Sequence, residues 1–306
     1  MEDAREALSD PVLSADPSLP GYPAGPGHCG ASTHGSMIRL DGGGPAGAAA
    51  VHRRVPGAPG GTDATPDRVV RGLRRSRSAS AGPRHRPDPA VALTVPQAVI
   101  LRLIGVPESE VPSTIAAARH LHDRTFPRSS LESAEEAFLA RLRALVRRGP
   151  ADDLTGRLVA SGELTEDEAV VNLRLVVAAS VQTTSSMIGP AVLTDPSRSV
   201  EDLLARLERG ANGPAPSGGC RHVYRWRAGV RDGVVVSLPA ANASRPPGGG
   251  HVAFGFGPYQ CLGQHLARTE LDEVLKSLFP LRPATRDLRM YDASVIYGVE
   301  SLPVTW

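Results

Sequence analysis

The sequence predicts a mainly α protein with small β-sheets. Three observations carry this expectation. Residues 131–148 place Phe138, Leu139, Leu142, Leu145 and Val146 at the spacing of one helical face. A long apolar stretch, 165–192, opens with Thr165 and has Glu168 three residues on, the pattern of a capping box. Past residue 212 the period changes, and 223–226 and 233–238 read as two strands around a Gly/Asp turn.

Each element has its own signal. Residues 3–8 make a helical start, followed by Pro/Gly-rich turns up to residue 41. Residues 91–106 are apolar and predict a helix whose start is marked by Pro96. It breaks at Val106, because the residue before a proline avoids the helical region. Residues 113–124 continue as a helix, 131–148 form the amphipathic one, and 152–161 form a short one. The long helix 165–192 follows, then 201–209, which ends at Gly210. After a Gly/Pro loop at 212–219 and the two strands, 248–263 is rich in glycine. Residues 262–278 predict a helix, and 291–306 alternate and carry β-branched residues, which predicts short strands.

Length and composition bound the function. A chain of 306 residues can bury a large core. Thirty-four Lys+Arg against 32 Asp+Glu leave a formal charge of +2, not the basic excess of a nucleic-acid binder. Aromatics are 4%, which disfavours stacking platforms for bases. Cys29, Cys220 and Cys261 cannot build a disulfide framework, and their spacing is not that of a zinc site. The opening MEDAREAL does not read as a signal peptide, and no run approaches the ~18–20 apolar residues of a membrane span. A cytoplasmic protein with reduced thiols, and neither a membrane nor a nucleic acid as partner, is expected.

Residues 42–89 stand apart. They hold nine Gly, seven Pro and nine Arg against three acids, with no Phe, Tyr or Trp. Such a segment buries too little apolar surface to offset its ordering entropy, so a disordered insert is expected. Its abrupt boundaries also fit coding sequence read out of frame and restored near Pro89; a basic arm over 68–86 is the third reading.

The strongest chemistry lies in residues 251–270, HVAFGFGPYQCLGQHLARTE. Gly255, Gly257 and Gly263 surround Cys261, and the predicted helix begins at that cysteine. Unpaired N–H groups and the helix dipole at such a position lower a thiol pKa and can hold a metal-bound thiolate. Glycines let the backbone approach a flat, bulky ligand. A buried cysteine in an ordinary turn fits the same residues, and the chemistry alone leaves both open.

The run from Phe254 through Gly255, Gly257, Tyr259 and Cys261 to Gly263 resembles the haem-binding loop of the cytochrome P-450 family, FGxGx[HR]xCxG. The following QHLARTE is similar to that family's next helix. The resemblance extends over residues 1–41 and 90–306, including TVPQAVILRLIGVP at 94–107, residues 175–196, GVVVSLPAAN at 233–242 and the C-terminal VIYGVESLPVTW. It implies an incomplete cytochrome P-450-like fold in one domain. Its parts are an early helix and loop (1–41), the low-complexity segment (42–89) and a haem-binding core (90–306). It implies haem b, with iron ligated by Cys261, Phe254 near the thiolate face, and Gly257 and Gly263 shaping the loop. Arginine in place of lysine (Lys276 is the sole lysine), with abundant Gly, Pro and Ala, fits the GC-rich coding of an actinobacterium.

The family's long helix carries [AG]Gx[DE]T over the distal face of the haem, where acid and threonine deliver protons for oxygen activation. The matching positions are Ala179, Ser180, Val181, Gln182 and Thr183, followed by Thr184. The threonine is kept; the acid is Gln182, which cannot release a proton. The family's ExxR pair has no match in register, because Asp202 and Ala205 stand there. Glu201 and Arg206 are five apart and do not share a helical face. Tyr259 stands where a basic residue helps bind a haem propionate; a phenol gives one hydrogen bond and no charge. The stretch 243–250 is shorter than the family's.

The resemblance therefore implies a haem-thiolate monooxygenase of secondary metabolism. It would insert one oxygen atom from O2 into a small apolar metabolite, with electrons from a ferredoxin and its reductase. The alternative is a degenerate, non-catalytic relative that binds haem weakly or not at all.

Overall fold

The structure, a computed structural model, describes residues 2–10, 12–14, 90–121, 127–194, 219–220, 222–227, 232–237, 241, 244, 251–257, 260–278, 282–283, 296–297 and 304–305. Seven α-helices are found among them: α1 (Glu2–Ser9), α2 (Ala90–Leu103), α3 (Val111–Ala117), α4 (Leu131–Arg148), α5 (Leu154–Ala160), α6 (Glu166–Thr194) and α7 (Gln264–Leu278). Short 3-10 turns at Glu108–Glu110, Arg119–Leu121 and Arg128–Ser130 join α2, α3 and α4. The expected helix at 201–209, the pair Glu201 and Arg206, and the segment 42–89 lie outside the described residues.

The helices form where their apolar stripes predict. Helix α4 spans the expected residues and buries Phe138, Leu142 and Val146. The capping box of α6 is present: the Thr165 N–H donates to Glu168 Oε2 at 2.9 Å, and the Glu168 N–H donates to Thr165 Oγ1 at 3.3 Å. Asp153 caps α5 by accepting from the Gly156 N–H at 2.8 Å.

Three expectations are corrected. Pro96 lies inside α2 rather than at its start. Val95, Ala98, Val99, Ile100 and Leu101 around it are buried, so packing outweighs the missing N–H. The helix expected over 113–124 starts earlier, at Val111, ends at Ala117 and passes into a 3-10 turn at Arg119–Leu121, with 122–126 outside the described residues. Helix α7 begins at Gln264, not at Cys261; Leu262 and Gly263 form a turn between them.

Helix α6 is central. It packs against α2, α4 and α7 and shares one core with them: Ile100, Leu101, Ile104, Phe138, Leu142, Leu173, Val177, Val181 and Leu271 are all but sealed from solvent. Each such side chain contributes about 1.5–3 kcal/mol when fully buried. The sheets are small and antiparallel. One runs β1 (Leu13–Ser14), β3 (His222–Arg227) and β4 (Asp232–Ser237), with Trp226 opposite Gly233. Strand β2 (Gly219–Cys220) pairs with β6 (Ile296–Tyr297), and β5 (Arg282–Pro283) with β7 (Val304–Thr305). A second small core of Leu8, Val236, Ala241 and Val252 joins α1 and β4 to the start of the cysteine loop.

Candidate functional site: a cysteine loop beside the central helix

The loop 251–261 is built from its glycines. Gly255 and Gly257 both have positive φ, 75° and 69°, which L side chains rarely adopt. Gly257 also sits against the end of α1, where an added Cβ would stand 3.2 Å from the Ser9 Cβ. The two reversals fold the loop back so that the Cys261 N–H donates to the Phe254 carbonyl at 2.7 Å. Phe254 is partly buried against the main core, which anchors this return.

Cys261 is exposed as a residue, while its thiol is largely buried. The protein packed behind it pushes its thiol pKa up, and a hydrogen bond from the Gly263 backbone pulls it back down. The lowered thiol pKa expected at a helix start is instead raised, because burial outweighs the one hydrogen bond. An added Cβ on Gly263 would stand 4.0 Å from the sulfur.

On α6, Val177, Val181, Thr184 and Ile188 face the core. Ala179 is exposed and Thr183, four residues on, is part-exposed, so the two share the other face. The Thr183 hydroxyl donates to the Ala179 carbonyl at 2.6 Å. Gln182 points elsewhere: its Nε2 donates to the Leu121 carbonyl at 3.0 Å, which ties the turn after α3 to α6. That turn is held a second time. His120 Nε2 lies 2.5 Å from Glu135 Oε2 on α4, and Arg174 of α6 pairs with the same carboxylate. Burial of Glu135 raises its pKa, but hydrogen bonds from Arg174 and His120 outweigh this and hold it below the ordinary value. Tyr259 lies outside the described residues. The structure thus brings Phe254, Gly257, Cys261 and Gly263 into one loop and Ala179 and Thr183 onto one helix face, and turns Gln182 toward Leu121.

Sequence reasoning missed Glu270. It is 1% exposed on α7, and neither carboxyl oxygen has a hydrogen-bond partner among the described residues. Burial pushes its pKa up to about 8. The signal was available: Leu266, Leu271 and Val274 flank it at helical spacing on the apolar face.

Among the described residues, no group of three or more His, Cys, Asp or Glu side chains could hold a metal ion by itself. A thiol whose sulfur accepts a backbone N–H from Gly263 would suit a single thiolate bond to a haem iron. The residues present fit that group.

The comparisons decide the family. The chain is 32% identical over 268 residues to vitamin D3 dihydroxylase of Streptomyces griseolus, covering 74% of this chain and 66% of that one. It is 30% identical over 281 residues to cytochrome P450 105A3 of Streptomyces carbophilus, covering 78% and 68%. The chain belongs to the cytochrome P-450 family. Its fold agrees: the crystal structure of cytochrome P450 MoxA from Nonomuraea recticatena matches with a TM-score of 0.79 at 27% identity, covering 100% of this chain and 88% of that one. No protein-family model matches it. This cytochrome P-450 chain spans about two thirds of the length of the curated relatives it matches. No helix among the described residues is long and apolar enough to cross a membrane.

Proposed function

We propose that this chain is a cytoplasmic haem-thiolate monooxygenase that hydroxylates a small apolar metabolite, with electrons from a ferredoxin and its reductase. The carrying observation is the Cys261 loop, in which two left-handed glycines and the bond from the Cys261 N–H to the Phe254 carbonyl hold the cysteine just ahead of α7. Family membership supports the reaction class, and relatives that include a dihydroxylase and a 23-monooxygenase support hydroxylation.

Bound haem b would supply the oxygen chemistry, with the electron push of a thiolate ligand favouring O–O cleavage. Cys261 would be that ligand, with the Gly263 N–H sharing the sulfur's charge. Phe254 shields the loop on its core side. Thr183 holds a proton on Oγ1, now given to the Ala179 carbonyl, and must turn away from it to donate elsewhere. Gln182 supplies no proton: an amide is not an acid, and its N–H is already engaged by Leu121. Proton delivery therefore falls to Thr183 and solvent.

A second reading rests on that same contact. A glutamine committed to Leu121 fits a relative that binds haem without efficient turnover. The test is the absorption spectrum of haem-supplemented protein, reduced and exposed to carbon monoxide. The strongly red-shifted Soret band of a thiolate-ligated haem, lost in Cys261→Ala, supports the ligand assignment; no haem uptake overturns it. With the band present, steady reductant consumption coupled to product separates the monooxygenase from the non-catalytic relative.

A further inference from the structure

We propose that Arg268, acting with His251, is a positioning residue for Cys261: it clamps the Phe254 ring and so fixes the loop that presents the sulfur. The inference rests on the reading of Cys261 as a haem ligand. The Cys261 N–H is bonded to the Phe254 carbonyl at 2.7 Å, so wherever Phe254 sits, the sulfur-bearing residue follows. Phe254 itself is held on two sides. The Arg268 guanidinium of α7 lies over its ring, 5.1 Å from the centroid. The His251 ring lies 6.0 Å away at 52° to it.

The two clamping side chains are joined to each other. Arg268 Nη2 is 3.2 Å from His251 Nε2, and the Ala253 N–H is 3.2 Å from His251 Nδ1. An arginine only donates, so Nε2 accepts. His251 opens the loop and Arg268 lies beyond its end, on the helix that follows. The contact closes the loop onto its own helix, with Phe254 against both side chains. A flat guanidinium stacks on the ring and reaches the imidazole at once, and a lysine ammonium does not. Arg268 is part-buried, turned inward onto Phe254 rather than out as a solvated helix arginine.

The test uses the full chain carrying Cys29→Ser and Cys220→Ser, so that Cys261 is the one thiol. Arg268→Met keeps the stem and removes the guanidinium. Two readouts are taken: the iodoacetamide alkylation rate of haem-free protein at fixed pH, and the fraction of reduced, carbon-monoxide-treated protein showing the strongly red-shifted Soret band. Arg268→Met is expected to raise the alkylation rate severalfold and to lower the red-shifted fraction at least twofold. Phe254→Leu should do the same, and the double variant should be no worse than the more affected single one, because both remove the same clamp. Arg268→Lys is expected to fall between wild type and Arg268→Met. If Arg268→Met does not fold, Arg268→Lys and His251→Leu are compared with Phe254→Leu in the same way. Unchanged alkylation and spectrum, or effects that add fully to those of Phe254→Leu, overturn the proposal. Absence of the red-shifted band in the parent protein overturns the haem reading instead, and the alkylation rates still decide the clamp.

Discussion

The side-chain amide of Gln182 donates to the carbonyl of Leu121 at 3.0 Å, across sixty-one residues of chain. In the family pattern this position carries an acid. Here it ties the turn after α3 to the central helix, one residue from Thr183. A carboxylate cannot donate to a carbonyl, so Gln182→Glu should cost about 1–3 kcal/mol at neutral pH. The loss should shrink as pH falls through the carboxyl range, where the protonated acid can donate again. Gln182→Ala should cost about 1 kcal/mol with no such pH dependence. Urea midpoints at neutral and acidic pH check both.

Glu270 makes the chain sensitive to base. Its carboxyl is buried without a partner among the described residues, and its pKa is raised from 4.5 to about 8. Between those values the folded chain holds one more proton than the unfolded one, so stability falls as pH rises. The loss begins near pH 4.5 and is complete above pH 8. In full it approaches about 5 kcal/mol at 1.36 kcal/mol per unit. Glu270→Met, which removes the charge at similar volume, should flatten the melting temperature across this range. A Glu270→Met variant that destabilises as steeply with pH as the parent would show that another group is responsible.

As the proposed haem ligand, Cys261 should release a proton on binding iron. Burial raises its thiol pKa more than the Gly263 hydrogen bond lowers it, so the free group is a protonated thiol at neutral pH. Ligation needs the thiolate, and the proton must leave. Haem affinity at this thiol should therefore rise about tenfold per pH unit as pH is raised toward the thiol pKa. Haem titrations followed at the Soret band test this, and Cys261→Ala should remove the slope.

What was legible in the sequence was local. Phe138, Leu142 and Val146 repeat at helical spacing, so α4 was expected with its observed bounds, and Thr165 with Glu168 announced the start of α6. The two strands of the β3–β4 hairpin came from alternation and a turn. The cysteine loop was legible because its signal, glycines around a thiol, lies within ten residues. Contacts between distant elements left no local mark. Arg174 and His120 meet Glu135 across 39 and 15 residues, and Gln182 meets Leu121 across 61. Pro96 misled because its own chemistry argues for a helix start, while the apolar residues on either side of it hold the helix together.

Gly105 and Gly162 separate backbone strain from steric conflict. Both have positive φ, 88° and 67°. Around Gly162 nothing lies within 4 Å of an added Cβ, so Gly162→Ala should cost only the left-handed penalty of about 1–2 kcal/mol. At Gly105 the same Cβ would come within 2.2 Å of Asp153 Oδ2 and 2.9 Å of Arg148 Nη2. Asp153 is not free to move. It caps α5 through the Gly156 N–H and pairs with Arg148 at 2.6 Å, and Arg148 also donates to the Gly105 carbonyl at 2.8 Å. Displacing it breaks the cap, worth about 1 kcal/mol, together with the ion pair. Gly105→Ala should therefore cost roughly 3 kcal/mol or more. In the Asp153→Ala background, where the obstructing carboxylate is gone, the added cost of Gly105→Ala should fall toward that of Gly162→Ala. A double-mutant cycle in urea measures it; equal costs in both backgrounds would place the strain in the backbone alone.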